Sequence, residues 1–315
     1  VTRVLVTGGA GFIGSHVAEA YLAAGYEVTV IDDLSSGKKR NVPDGAELVI
    51  CDICSEEARA AVASGKFSVL NHHAAQTDVR VSVSDPQLDA RTNLIGLLNL
   101  LEGARHGGIE KVVFASSGGV VYGESGSPPY KEDASKVPLS PYGVSKLASE
   151  YYISAYSHMY DVPAVSLRYT NVYGPRQNPH GEAGVVAIFG ERIDRGGPIT
   201  IFGDGKQTRD YIFVEDVAAA NVAASEWSAV GAETVDDAAF NIGTGIETSV
   251  NELAAIMVEI AGVDVPIRRV PARTGELQRN AVANGRAARE LGWSPRVKLE
   301  MGIQQTYSWV IETAR

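Results

Sequence analysis

Through the first half of the chain, short β-branched runs alternate with longer stretches in which apolar residues recur every three or four positions. Residues 3–6, 27–31, 47–50, 68–71 and 111–114 predict strands, and residues 12–24, 56–63 and 88–104 predict amphipathic helices between them. A further long helix is predicted to begin near Tyr142, followed by a strand over 164–168. Strands joined through helices of this length are parallel neighbours linked by right-handed crossovers. The expected fold is therefore α/β, a doubly wound parallel sheet.

Past about Asn171 the alternation weakens and loop signals crowd in, among them Gly174-Pro175, Asn178-Pro179, Gly196-Gly197-Pro198 and Gly203-Asp204-Gly205. Helices are predicted over 214–225, 250–260, 285–291 and 299–311, with short strands over 199–202, 240–242 and 266–269. The expected division is a first domain over 1–170, with a later segment, about 199–225, returning to it, and a second, smaller α/β substrate-binding domain over 171–315.

Composition narrows the function classes. Of 315 residues, 45% are hydrophobic and 21% charged, which is ordinary for a folded globular chain. A net charge of −10 opposes non-specific contact with nucleic acid or an anionic membrane, so an anionic ligand must meet local cations. No apolar run approaches the roughly 20 residues of a membrane helix. The apolar start Val4-Leu5-Val6 is short, lacks a cleavage site, runs straight into a glycine cluster and reads as a strand, so a cytoplasmic location is expected. Cys51 and Cys54 form a lone C-x-x-C with no second pair to complete a zinc cage, and they are expected to be plain thiols. No metal site is expected.

Thr7-Gly8-Gly9-Ala10-Gly11-Phe12-Ile13-Gly14 follows the first strand directly and opens the first helix. In that setting Gly8 permits a tight turn, Gly11 lets a pyrophosphate approach the backbone, and Gly14 lets helix and strand pack closely. The helix N-terminus, at Phe12 and Ile13, offers unpaired N–H groups and partial positive charge to phosphate. Asp32, ending the second strand, suits ribose hydroxyls and repels a 2′-phosphate, so NAD is expected, with Lys38-Lys39-Arg40 read as a solvated loop. Asp52 and Ile53, just past the third strand, are placed toward the adenine edge, although Asp52 suits equally a helix cap ahead of Glu56.

Tyr142 and Lys146 stand four residues apart in a predicted helix and so share a face. A cation within ~4 to 6 Å favours the ionised form of a phenol whose free pKa is near 10, which makes Tyr142 a candidate base. Ser116 and Ser117 end the fifth strand at the sheet edge where ligands of such folds sit. Together the glycine turn, the Tyr/Lys pair and these serines resemble the extended short-chain dehydrogenase/reductase superfamily, over nearly the whole chain. Arg168-Tyr169-Thr170-Asn171-Val172-Tyr173-Gly174-Pro175-Arg176-Gln177, Arg209-Asp210-Tyr211-Ile212-Phe213-Val214-Glu215-Asp216-Val217 and Asn241-Ile242-Gly243-Thr244-Gly245 resemble the nucleotide-sugar epimerases and dehydratases, with the UDP-glucose 4-epimerase type the nearest match.

That resemblance implies a Rossmann fold, bound NAD, and inversion of C4 of a UDP-hexose through a transient 4-keto sugar. UDP-glucuronate and UDP-N-acetylhexosamines stand as alternative substrates. It implies Tyr142 as base, Lys146 holding the cofactor ribose and the phenolate, and Ser117 bonding the same oxygen. Asn171 is then near the diphosphate, Phe202 flanks the uracil, and Arg209 and Arg273 clamp the diphosphate. Asn280 faces the sugar as a size filter, and Thr170 and Arg176 join the serines as candidates near the C6 end. It also implies a homodimer through the helices at 88–104 and 142–156. His72-His73 is read as packing. One departure stands out: much of the family carries its catalytic Ser or Thr four residues before the tyrosine of the Tyr-Gly pair, here Tyr122-Gly123, and that position is Gly118. Ser117 is one residue earlier, with Ser116 or a water as alternatives. Gly118-Gly119 also stands where 4,6-dehydratases carry Asp-Glu, which argues against an elimination.

Overall fold

The computed structural model describes residues 1–179, 184–228, 233–272 and 277–314. In chain order the first part runs β1 (Arg3–Thr7), α1 (Phe12–Ala23), β2 (Glu27–Asp32), β3 (Glu47–Ile50), α2 (Glu56–Ala63), β4 (Val69–His72), α3 (Val79–Ser84), α4 (Pro86–Ala90), α5 (Gly96–Gly107), β5 (Lys111–Ser117), α6 (Pro141–Tyr160) and β6 (Ala164–Tyr169). Then come β7 (Asn171–Tyr173), α7 (Val185–Asp194), β8 (Ile199–Phe202), β9 (Thr208–Arg209), β10 (Tyr211–Phe213), α8 (Val214–Glu226) and β11 (Ala239–Ile242). The chain closes with β12 (Thr248–Ser249), α9 (Val250–Ala261), β13 (Ile267–Val270), β14 (Arg279–Asn280), α10 (Gly285–Glu290) and α11 (Leu299–Ala314).

Seven parallel strands form the main sheet in the order β11-β6-β5-β4-β1-β2-β3. The order reverses between β1 and β4, and the crevice beyond the strand ends at such a switch point is where ligands bind in sheets of this kind. Strand alternation divides the core into two layers. Val4, Val6, Val113 and Ala115 point to one face, under α1 and α8, whereas Leu5, Val112 and Phe114 point to the other, under α2, α5 and α6. A third apolar cluster, with Phe189, Ile201, Phe213, Leu253 and Met257, lies outside the sheet among α7, α9 and α11.

The segment over 199–225 meets more than one part of the fold. β8 pairs with β13 and buries Ile199 and Ile201 in the third cluster, while α8 packs on α1 beside the sheet. The sheet also recruits β11 from beyond that segment. Near the end of the chain, Ala287 and Trp293 close the same face as α8, and Trp293 Nε1 donates to Asp216 O at 2.8 Å.

The helix predicted over 88–104 is built differently. Asp78 and Asp85 cap α3 and α4, and a π turn over Arg91–Ile95 leads into α5. Alternating Val79, Val81 and Val83 mimic a strand period and conceal α3, which the Asp78 cap imposes. No described helix is long and apolar enough to cross a membrane.

Candidate active site

The turn from β1 to α1 is as tight as its glycines suggest. Gly8 has φ +70° and donates to Ile31 O at 2.8 Å, and a Cβ there would meet the backbone of Ala74 at 2.6 Å. A Cβ on Gly14 would lie 2.2 Å from Gly8 O, so only glycine lets the helix seat on the turn. Gly11 is the N-cap and supplies no side chain, which leaves the first-turn N–H groups at Phe12 and Ile13 to an outside acceptor. No acidic residue stands in that turn to compete for them.

Asp32 is buried at the end of β2, where its carboxylate accepts from Ala10 N at 3.0 Å and Leu34 N at 2.9 Å. Burial raises its pKa above the usual carboxylate value, and those two N–H bonds oppose the rise. Each oxygen keeps a further lone pair for a ribose hydroxyl. The open helix terminus, the glycine cradle and this fixed carboxylate fit a dinucleotide. Asp52 is exposed and accepts from Cys54 N at 2.8 Å, whereas the cap of α2 is Ser55, so the capping alternative for Asp52 does not hold. Ile53 buries its side chain among Leu97 and Ala58, so it has only main chain to offer an adenine ring.

Ser140 caps α6 by accepting from Gly143 N at 3.1 Å, with Pro141 in the first turn, and this start fixes the rotation of the helix. Tyr142 and Lys146 are both buried on its sheet-facing side. The Lys146 ammonium donates to Ala115 O at 2.8 Å and lies 4.8 Å from the Phe114 ring centre and 5.8 Å from that of Tyr142. It also faces two histidines. Burial first, then the Lys146 charge, holds His72 well below the usual histidine value and His73 at about 3, so both rings are neutral at pH 7. His72 bonds Thr7 Oγ1 at 2.7 Å, and His73 bonds the Tyr169 hydroxyl at 3.1 Å.

The two serines at the end of β5 divide by strand alternation. Ser116 is buried and donates to the Glu150 carboxylate, which pairs with the fully buried Arg168 at 2.6 Å. Ser117 is half-buried on the other side, and its carbonyl accepts from Val121 N at 3.1 Å as the chain turns through Gly118 and Gly119. Gly118 is enclosed: a Cβ there would lie 3.0 Å from both Arg168 O and Val282 Cγ1.

The C-terminal half meets this edge through β14. Asn280 is fully buried and its Nδ2 donates to Gly118 O at 3.2 Å, next to Ser117. Asn280 also lies in register with Arg209 across the β14–β9 pair, so the sugar-filter and diphosphate candidates share one small sheet. Thr170 is buried and Asn171 half-buried where β6 passes into β7, and Asn171 N donates to Asp210 O at 2.9 Å. Phe202 ends β8 beside Val270, and Arg273 lies outside the described residues. Arg176, with φ +70°, turns its guanidinium onto α1, donating to Ser15 Oγ at 3.1 Å and to Glu19 at 2.5 Å.

Asp210 carries a function that the sequence reading missed. Its buried carboxylate accepts from Thr244 N, Thr244 Oγ1, Gly245 N and Val282 N at 2.6 to 3.3 Å, tying β10, the turn after β11 and the approach to α10 around the Arg209–Asn280 pair. An acid flanked by Arg and Tyr in a strand-forming run is the signal, since a buried carboxylate needs several N–H donors.

Residues 4–243 match the model of the NAD dependent epimerase/dehydratase family. A UDP-glucose 4-epimerase from Mycolicibacterium smegmatis is 44% identical over 309 residues, covering 96% of this chain and 97% of its own length. The crystal structure of a Thermotoga maritima UDP-glucose 4-epimerase with UDP-glucose superposes with a TM-score of 0.94 at 43% identity, each chain covered in full. That of the Thermus thermophilus UDP-glucose 4-epimerase in complex with NAD gives 0.90 at 43% identity, covering 98% of this chain and 99% of the other. With the family model matching more than half of the chain and a relative of 44% identity covering 96% of it, the chain belongs to the NAD dependent epimerase/dehydratase family.

Proposed function

We propose that this chain is a UDP-sugar 4-epimerase of the UDP-glucose/UDP-galactose type that works with bound NAD. What supports the reading is that Lys146 reaches Ala115 O near the end of β5 with the Tyr142 ring beside it, while Asn280 from the other half reaches Gly118 O, next to Ser117. When bound, NAD would accept the C4 hydrogen with its electron pair and give both back. Tyr142 takes the C4 hydroxyl proton and gives it back, and the Lys146 ammonium offsets the charge left on the phenolic oxygen. Ser117 bonds the reacting oxygen; its neighbour Ser116 is already committed to Glu150. Arg209 and Arg273 hold the diphosphate while the sugar turns, so the C4 hydrogen returns with its electron pair to the opposite face of C4 and the proton returns to the C4 oxygen. In place of a dehydratase acid and base the chain has Gly118 and Gly119, which carry no side chain to donate or accept a proton.

On this reading residues 1–170 together with 214–242 hold the cofactor, and 171–213 with 243–315 form most of the UDP-sugar half. Two free cysteines, Cys51 and Cys54, suit a reducing cytoplasm. A homodimer forms through α6 and the 79–95 region: exposed Val144, Tyr151, Tyr152 and Met159 recur at helical spacing on α6, with Val83, Leu88 and Ile95 beside them.

The test is incubation with UDP-glucose, UDP-galactose, UDP-glucuronate and UDP-N-acetylglucosamine while the anomeric NMR signals are followed. Interconversion of the first two is expected, with Tyr142→Phe slower by at least ~100-fold. Absence of any 4-epimer would overturn the proposal.

A further inference from the structure

Asp89, at the end of α4, has no exposed surface, and three neutral side chains bind its carboxylate. Oδ1 accepts from Gln76 Nε2 at 2.9 Å and from Asn93 Nδ2 at 3.0 Å, and Oδ2 accepts from Ser145 Oγ at 2.6 Å. These donors come from three separate places. Gln76 belongs to the loop after β4, whose Ala74 backs the Gly8 turn and donates to Thr7 Oγ1 at 3.3 Å. Asn93 sits in the π turn and locks the same loop through a reciprocal pair, Gln76 N to Asn93 Oδ1 and Asn93 Nδ2 to Gln76 O, both at 2.9 Å. Ser145 lies on α6 between Tyr142 and Lys146. A second strut joins the same parts, with Ser149 Oγ donating to Asn93 O at 3.3 Å.

We propose that Asp89 is a positioning residue, a buried carboxylate that holds the helix carrying Tyr142 and Lys146 at a fixed distance from the loop flooring the cofactor turn. A carboxylate accepts from all three donors at once through charge-assisted bonds, whereas a carboxamide must turn its N–H toward Ser145 Oγ, which reverses that bond and leaves it neutral and weaker. An α-helix packed only by apolar contacts can slide by fractions of an ångström at little cost. Proton transfer tolerates little such slack, because the reacting groups must stay within hydrogen-bond reach. The π turn supports the same reading, since its extra residue per turn brings Asn93 under the loop while leaving Asp89 facing α6.

This inference rests on Tyr142 and Lys146 as the reacting pair, so Tyr142→Phe is measured alongside. Asp89→Asn, Ser145→Ala and the double variant are assayed as holoenzymes with UDP-galactose, and bound NAD is released and quantified. Expected are kcat losses of about 10-fold in each single variant, KM and NAD content within about 2-fold of wild type, and a double variant no slower than the worse single one. Ser145→Ala removes only a hydroxyl and keeps the test alive if Asp89→Asn does not fold. Wild-type kcat in Ser145→Ala, or losses in kcat matched by equal losses of NAD or rises in KM, would overturn the positioning role. Full activity in Tyr142→Phe would instead overturn the site reading beneath it.

Discussion

Gly11→Ala and Gly14→Ala are expected to separate nucleotide binding from folding, although the two residues stand in the same helical turn. At Gly14 the added methyl would lie 2.2 Å from Gly8 O and 2.8 Å from Gly8 C, both well inside the 3.4 Å of ordinary contact and the first by more than an ångström. Both obstacles are backbone, so α1 must retreat from the turn, and overpacking of this severity costs about 3 kcal/mol, the upper end of its usual range. With unfolding entropy near 2.1 cal/mol/K per residue, the 315-residue chain loses ~0.66 kcal/mol per degree at its midpoint, so Tm should fall by about 5 °C. Gly11 is different: its φ of −78° and ψ of −177° are open to any residue, and its methyl would meet only Gly8 O, at 3.1 Å. Stability should change by no more than about 1 kcal/mol, within roughly 2 °C. The methyl would, however, stand where a pyrophosphate must approach, and about 1–3 kcal/mol of steric opposition raises the NAD Kd roughly 5- to 150-fold. Thermal melts and NAD calorimetry on nucleotide-stripped protein read both effects. Wild-type NAD affinity in Gly11→Ala, or a wild-type melt in Gly14→Ala, would refute this division of labour.

Ser117→Ala is expected to lower kcat about 10- to 100-fold with an unchanged melt. Ser116→Ala should do the reverse, taking a donor from the buried Glu150 carboxylate at a cost of about 1–3 kcal/mol while kcat stays within ~3-fold; equal kcat losses in the two would erase the distinction. His73, held at about 3 in the folded chain, gains its proton far more readily when unfolded. The stability this gives is complete above about pH 6.5 and is lost as pH falls, by about 2 kcal/mol at pH 5. The drop in Tm from pH 7 to pH 5 should therefore be about 3 °C smaller in His73→Gln, and an equal drop would show that the histidine is not responsible. Asn280→Tyr should selectively lower kcat/KM for UDP-N-acetylglucosamine relative to UDP-glucose, because the larger ring fills space beside Gly118; an unaltered ratio would remove Asn280 as the size filter.

Features set by neighbours in the chain were readable from residue order. β3 and α2 fall on their predicted ranges, and the glycine turn, Asp32 and the Tyr142/Lys146 helix face all follow from local spacing. What residue order conceals depends on partners far along the chain. Asp210 meets Thr244 and Val282, Asn280 meets Gly118, and Arg176 meets Ser15 and Glu19, and no local period announces any of these contacts. The two-residue strands β9, β12 and β14 are too short to show alternation at all. For Arg176, too, a motif does not say which way a left-handed backbone sends the side chain.

Asn280 on the Gly118 carbonyl belongs to a longer return of the chain: Tyr130 N donates to Ala281 O at 2.9 Å, Ala283 N donates to Tyr130 O at 2.8 Å, and Trp293 then docks on Asp216. A polypeptide ended after β11 would retain all seven strands of the main sheet, yet its serine turn would lose the backing that residues 280–283 add to that of β6. The two halves are consequently not interchangeable cartridges. Grafting the sugar half of another enzyme onto this sheet would import a different floor beneath Ser117, so changes of substrate in this scaffold proceed most easily by single replacements in place and least easily by recombining whole segments.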